Sequence, residues 1–277
     1  MKRRICAGIV FVALAWLALA SVAVADTLPY AKPEEVGFSS ERLGRVTEML
    51  RTNIAEGEIP GAVLLIARHG KIAYFESLGL LDPQAKIPMS KDAIFRIYSM
   101  SKPITTVAVM MLFEDARLAL SEPVGKYLPA LAKMQVATDN KPDPEADPHK
   151  ITTIPANRPI SIQDLMRHTS GLTYGFFGDT PVKKLYAEAK LGNAAETNAQ
   201  FVDRIAKLPL SYQPGTTWDY SHSTDVLGRL VEVISGKSLY EFERERILEP
   251  LRMSDTSFYV TDQTKQPRIA EPFENDR

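Results

Sequence analysis

Apolar positions recur along this chain in several rhythms, and each predicts a different kind of element. An unbroken apolar run from Ile9 to Ala20 comes first. At Leu43, Val46, Met49, Leu50 and Ile54 the spacing becomes a one-sided helical stripe, with Ser39 or Ser40 placed to cap its start. Two short runs, Ala62 to Ala67 and Lys71 to Ser77, meet at Arg68-His69-Gly70 and predict a β-hairpin. A helix is expected from about Ser99 to Ala116, then a helical turn at Ser121-Glu122-Pro123, with proline where a helix start tolerates it. Ser161 and Asp164 form a capping box for a helix ending near His168. Further helices are expected over 199–207, 225–235 and 239–248, the last stopped by Pro250. A two-stranded hairpin is barely stable alone, yet the one later strand candidate lies near Thr256 to Val260. The pattern predicts strands first, helices after them, and a sheet whose closing strands are missing from the carboxyl end.

Composition sharpens this picture at the amino end. Lys2, Arg3 and Arg4 precede the first apolar run, and Ala23-Val24-Ala25 follows it. That order is the layout of a secretory signal peptide over residues 1–25, cut before Asp26, and it predicts a secreted or periplasmic protein with no membrane span after cleavage. The single cysteine, Cys6, falls inside this leader, so disulfides and cysteine chemistry are excluded from the mature chain. Loss of the leader takes the net charge from −1 to −4. This mild acidity argues against nucleic acid as a partner. Residues 26–277 can bury a substantial core, broken by an exposed proline-rich loop over 138–160.

The candidate chemistry lies in Ser99-Met100-Ser101-Lys102. A lysine three residues after a serine shares its helix face, and a neutral amine can take the hydroxyl proton. Alone the pattern is weak. Pro103 strengthens it, because proline belongs in a first helical turn and so sets the helix start near Ser99. The hydroxyl then sits at the positive helix end. Residues Ile104 to Leu112 are apolar nearly all round, which predicts a buried helix with a desolvated Lys102 of lowered pKa at its mouth.

Taken together, the motifs resemble a known family. Phe95-Arg96-Ile97-Tyr98-Ser99-Met100-Ser101-Lys102 is similar to the first motif of class C β-lactamases, D,D-peptidases and the related family VIII carboxylesterases. His168-Thr169-Ser170-Gly171-Leu172 resembles a structural signature of that family. Pro214-Gly215 and Trp218-Asp219-Tyr220-Ser221-His222 resemble its tyrosine motif, and Pro250-Leu251-Arg252-Met253 with Asp255-Thr256 its next segment. The likeness runs from about Val36 to the end. It implies an α+β fold of β-lactamase/transpeptidase type: an antiparallel sheet with flanking helices, an all-helical region, and the C-terminal strands of the sheet missing. It also implies an acyl-enzyme at Ser99, with Lys102 and Tyr220 sharing the proton work and the Ser99 backbone N–H as one oxyanion donor. The expected substrate is a small-molecule ester or amide, and no cofactor or metal is expected.

Two features depart from that family. His222 stands where its tyrosine motif often has asparagine; it is a candidate substrate contact and makes β-lactam recognition a weaker expectation. No carboxylate partner for a His222 triad is identified by spacing. The family's third motif, Lys-Thr-Gly, His-x-Gly or Trp-Gly-Gly, has no counterpart, since the glycines after Tyr220 are Gly228 and Gly236, both in helix contexts. Other enzyme classes are poorer matches: there is no Gly-x-Ser-x-Gly elbow, and the four histidines lack zinc-ligand spacing. A carboxylesterase is the leading expectation, a β-lactamase or D-amino-acid peptidase the second, and a non-catalytic peptidoglycan- or peptide-binding homologue the third; without the third motif, residues 26–277 alone are expected to be inactive.

Overall fold

A computed structural model describes residues 28–143, 145, 147–193 and 195–276. The expected leader, its cleavage site and Cys6 lie outside the described residues. The backbone divides into two compact units: one runs to Ala93 and regains the chain from Ala270, the other is Ile94–Ile269.

In the first unit the Ser39 side chain accepts the Arg42 N–H and starts helix α1 (Ser40–Ala55). Its buried face, Leu43 and Thr47, turns to strand β2 (Lys71–Asp82), where Thr47 hydrogen-bonds Tyr74. Strand β1 (Gly61–Arg68) runs antiparallel to β2, with Gly61 opposite Gly79 and Arg68 opposite Lys71. The two-residue tip has φ values of +53° at His69 and +70° at Gly70, the left-handed pair that a tight hairpin turn requires. Strand β3 (Ile87–Pro88) adds to the other side of β2, giving the order β1-β2-β3. β2 extends past the expected end at Ser77 because Leu78, Leu80 and Leu81 continue its apolar pattern.

The second unit is built around helix α6 (Ser223–Ser235). Val226, Leu227, Leu230 and Val231 are fully buried along it. Helices α2 (Lys102–Glu114), α3 (Ile162–Met166), α5 (Asn198–Ile205) and α7 (Leu239–Glu243) pack on α6. A π-helical turn, Arg244–Leu248, continues α7. The sequence also concealed helix α4 (Pro181–Glu188) and a small antiparallel pair, β4 (Gln135–Ala137) with β5 (Thr153–Pro155). The proline-rich stretch is therefore not wholly irregular: residues 153–155 pair, and Ile160 is buried. No strand forms at Thr256–Val260. That segment is bent, irregular backbone, next to Asp255, which is held by Arg268 and Lys265.

Helix α2 corrects the expectation of burial all round. Thr105, Ala108, Val109 and Leu112 face α6 and α7 and are buried, whereas Val107, Met110 and Phe113 on the other side are exposed. Among the described residues no helix is long and apolar enough to cross a membrane.

Candidate active site

The α-helix begins at Lys102, not at Ser99. Residues Tyr98–Ser101 form a single 3-10 turn leading into it, with Pro103 in the first turn of α2. At three residues per turn, side chains i and i+3 eclipse, so this tighter turn aligns the serine with the lysine. Lys102 Nζ donates to Ser99 Oγ at 3.0 Å. Tyr98, just before the serine, has a φ of +43°, a left-handed conformation unusual for a bulky residue. Ser99 is exposed, and Lys102 half-buried.

Tyr220 reaches this pair from a segment lined up by backbone hydrogen bonds. Ser211 N–H donates to Gly171 O (2.8 Å), Gly215 N–H to Thr169 O (2.7 Å) and Asp219 N–H to His168 O (2.9 Å). The template is the turn 168–171, and its glycine is obligatory. Gly171 has a φ of +86°, and a Cβ there would lie 2.2 Å from Tyr212 O. The turn is fixed by Asp164, whose carboxylate accepts from Thr169 Oγ1 at 3.1 Å, from Ser161 N–H at 2.9 Å and, bidentately, from Arg158 at 2.6 and 2.9 Å. Buried hydroxyls complete the support: Ser221 Oγ and Ser170 Oγ each lie 2.8 Å from Ser223 Oγ, and His168 Nδ1 accepts the Ser221 N–H at 3.3 Å.

The electrostatics change the expected division of labour. Burial opposes charge on Lys102, but hydrogen bonding to Tyr220 and the phenols of Tyr220 and Tyr174 outweigh it and raise the amine above its ordinary value. The lowering expected from desolvation is therefore overturned by the two phenols. Burial also opposes ionisation of Tyr220, yet its interactions with Lys102 and Ser99 bring the phenol below its usual 10.0. The Lys102 ammonium and the Tyr220 phenolate thus each favour the other's charge. Lys102 Nζ stands 4.7 Å from the Tyr220 ring centroid and 5.8 Å from that of Tyr174. Burial and the Lys102 charge lower the pKa of His168.

Tyr174 escaped the sequence reading. It is buried, and its ring lies 5.4 Å from Tyr220 and 4.2 Å from His222. Its one signal is its place two residues after the His168–Leu172 motif. The structure also supplies His222 with the carboxylate that spacing did not reveal: His222 Nδ1 lies 3.1 Å from Asp225 Oδ2 across the start of α6. The His222 side chain is only 15% exposed and packs against Tyr174 and Phe201. Among the described residues no group of three or more His, Cys, Asp or Glu is placed to hold a metal.

Comparison with known proteins gives this geometry a family context. The sequence pattern of the family described as Beta-lactamase matches residues 46–272. Protein Rv1367c of Mycobacterium tuberculosis is 39% identical over 74% of this chain and 49% of its own length. Esterase EstB of Burkholderia gladioli is 32% identical over 79% of this chain and 52% of its own. Among solved structures, EstCE1, a hydrolase with promiscuous acyltransferase activity, superposes with a TM-score of 0.67 at 29% identity over 83% of this chain and 58% of that one. The chain spans about half the length of the curated relatives it matches.

Proposed function

Since the chain belongs to the Beta-lactamase family, with the β-lactamase/transpeptidase-like fold of its structural neighbours, we propose that it is a serine hydrolase of the carboxylesterase kind, acting through an acyl-enzyme at Ser99. The observation that carries this reading is the Lys102 Nζ to Ser99 Oγ hydrogen bond of 3.0 Å, beside a phenol of lowered pKa. The ester preference is supported by the likeness to EstB and EstCE1.

In this mechanism the Tyr220 phenolate takes the Ser99 hydroxyl proton as Oγ attacks the ester carbonyl. The Ser99 backbone N–H faces the resulting oxyanion. Collapse of the tetrahedral adduct breaks the bond to the alcohol, which leaves with the proton carried by Tyr220. Water, deprotonated by the same phenolate, then releases the acid. Lys102 remains an ammonium throughout and keeps the phenol acidic. Residues 1–25 act as an export leader, so that the mature protein starts at Asp26; amino-terminal sequencing of exported protein checks this.

The test is covalent labelling of the full-length protein with a fluorophosphonate, followed by peptide mapping. Phosphonylation at Ser99, lost in Ser99→Ala, is expected. Label on Ser101, or none, would remove Ser99 from the mechanism.

A further inference from the structure

Three large aromatic side chains stand in water beside this site: Phe176 at 69%, Trp218 at 66% and Phe177 at 48% exposure. Contiguous exposed apolar surface is unusual and marks binding sites. These rings are joined to the catalytic candidates through ring contacts. Trp218 lies stacked with Tyr220 at 6.3 Å between centroids, inclined by 21°. Phe177 is also 6.3 Å from Tyr220, Phe176 is 4.5 Å from Phe177, and Phe176 is 4.7 Å from buried Tyr174. Each exposed ring is thus held by a neighbour and loses little freedom when a ligand covers it. Lys102 is already directed at Ser99, Tyr174 and Tyr220, and Lys183 is paired with Asp219.

We infer that Phe176, Phe177 and Trp218 form a subsite for the apolar part of the ester, selecting substrates with a bulky alkyl or aryl group over small polar ones. This rests on the catalytic reading above and names its substrate class. Trp218 and Phe177 each lie 6.3 Å from the Tyr220 ring; the apolar group recognised belongs either to the acyl chain or to the alcohol, and the experiment separates these.

The full-length protein is assayed on p-nitrophenyl esters from acetate to octanoate, which vary the acyl group, and by pH-stat on acetates from methyl to octyl, which vary the alcohol. kcat/KM is expected to climb with length in one series, which identifies the side. Phe176→Ala should cut the ratio of longest to shortest substrate in that series about tenfold, the effect of losing one apolar contact face. Phe176→Leu, still apolar, should retain most of it. A second readout needs no turnover. Trp16 falls in the leader, so Trp218 is the one tryptophan of residues 26–277, and a Ser99→Ala variant of the mature protein reports on it. Octan-1-ol should shift its emission to the blue saturably, butane-1,4-diol should not, and Phe176→Ala should weaken the octanol response. Hydrolysis with two flat series, unaltered by Phe176→Ala, would overturn the subsite and leave the serine hydrolase standing. A saturable octanol shift without hydrolysis would retain the subsite and remove the catalytic reading. Absence of any shift would overturn the subsite.

Discussion

The proposed division of proton work between Lys102 and Tyr220 can be read from a pH profile. A base works only when deprotonated, so kcat/KM should rise with pH through the Tyr220 pKa and fall again only when Lys102 loses its proton, above its ordinary 10.5. Lys102→Met removes the charge that holds the phenol low. Esterase kcat/KM should drop by roughly 10²–10⁴-fold, and the remaining activity should have its acid limb displaced to higher pH. An acid limb that stays in place would show that Lys102 does not set the Tyr220 ionisation. The Ser99–Lys102 pair was legible because three residues of sequence suffice to place it on one helical turn. Tyr174 was not, since it meets Lys102 only after residues 168–171 and 211–219 have paired. His222–Asp225 lies between these cases: the spacing was local, but only the position of His222 at the start of α6 turns both side chains together.

At the scale of elements, short-range signals with a named hydrogen bond were the readable ones. The Ser161–Asp164 capping box forms as the sequence indicates, and so does the hairpin tip at His69-Gly70. β4 and β5, three residues each, are too short to show a period, and β5 is hidden among prolines. α4 had its start signal in Thr180-Pro181, but buries only Pro181, Val182 and Tyr186, too short a stripe to stand out. What the capping box did not reveal is its second use. The buried Asp164 carboxylate overcomes the cost of its burial through Arg158 and Ser161, which hold its pKa at about 2 against an ordinary 3.8. A carboxylate with a depressed folded pKa contributes stability above its unfolded pKa and loses it as pH falls through the folded one. Asp164→Asn should therefore destabilise the protein by on the order of 2 kcal/mol at pH 7. That difference should shrink between pH 4 and 2. Urea unfolding of both proteins across this range provides the measurement, and a penalty constant with pH would assign the loss to geometry instead of charge. Because the same carboxylate holds Thr169, and Thr169 O holds Gly215, esterase activity should decline with it.

Over the whole molecule, burial is unevenly distributed. α6 is sealed by α2, α3, α5 and α7, and Leu230→Ala within it should cost about 2–5 kcal/mol, the usual penalty for emptying a fully buried leucine site. The outward side of α2 is the opposite case: Val107 is 47%, Met110 37% and Phe113 42% exposed on successive turns of one helix. Ala108, Val109 and Leu112 are buried and Ile104 and Met111 pack against the core, but Val107, Met110 and Phe113 stay in water. Apolar area left in water carries about 25 cal/mol per Å² of unrealised stabilisation, and a stripe of this kind is a site for dyes and for other copies of the chain. The 277-residue chain should bind an anilinonaphthalene dye and show concentration-dependent association in analytical ultracentrifugation. Val107→Glu with Met110→Lys should reduce both, and because these side chains are partly in water already, the change should leave the unfolding midpoint in urea nearly where it was. Cavity formation cannot explain such a result, since no packed core is opened. A double variant that unfolds at much lower urea would instead show that this side of α2 is covered in solution, and would move Val107 and Met110 from the surface into the core.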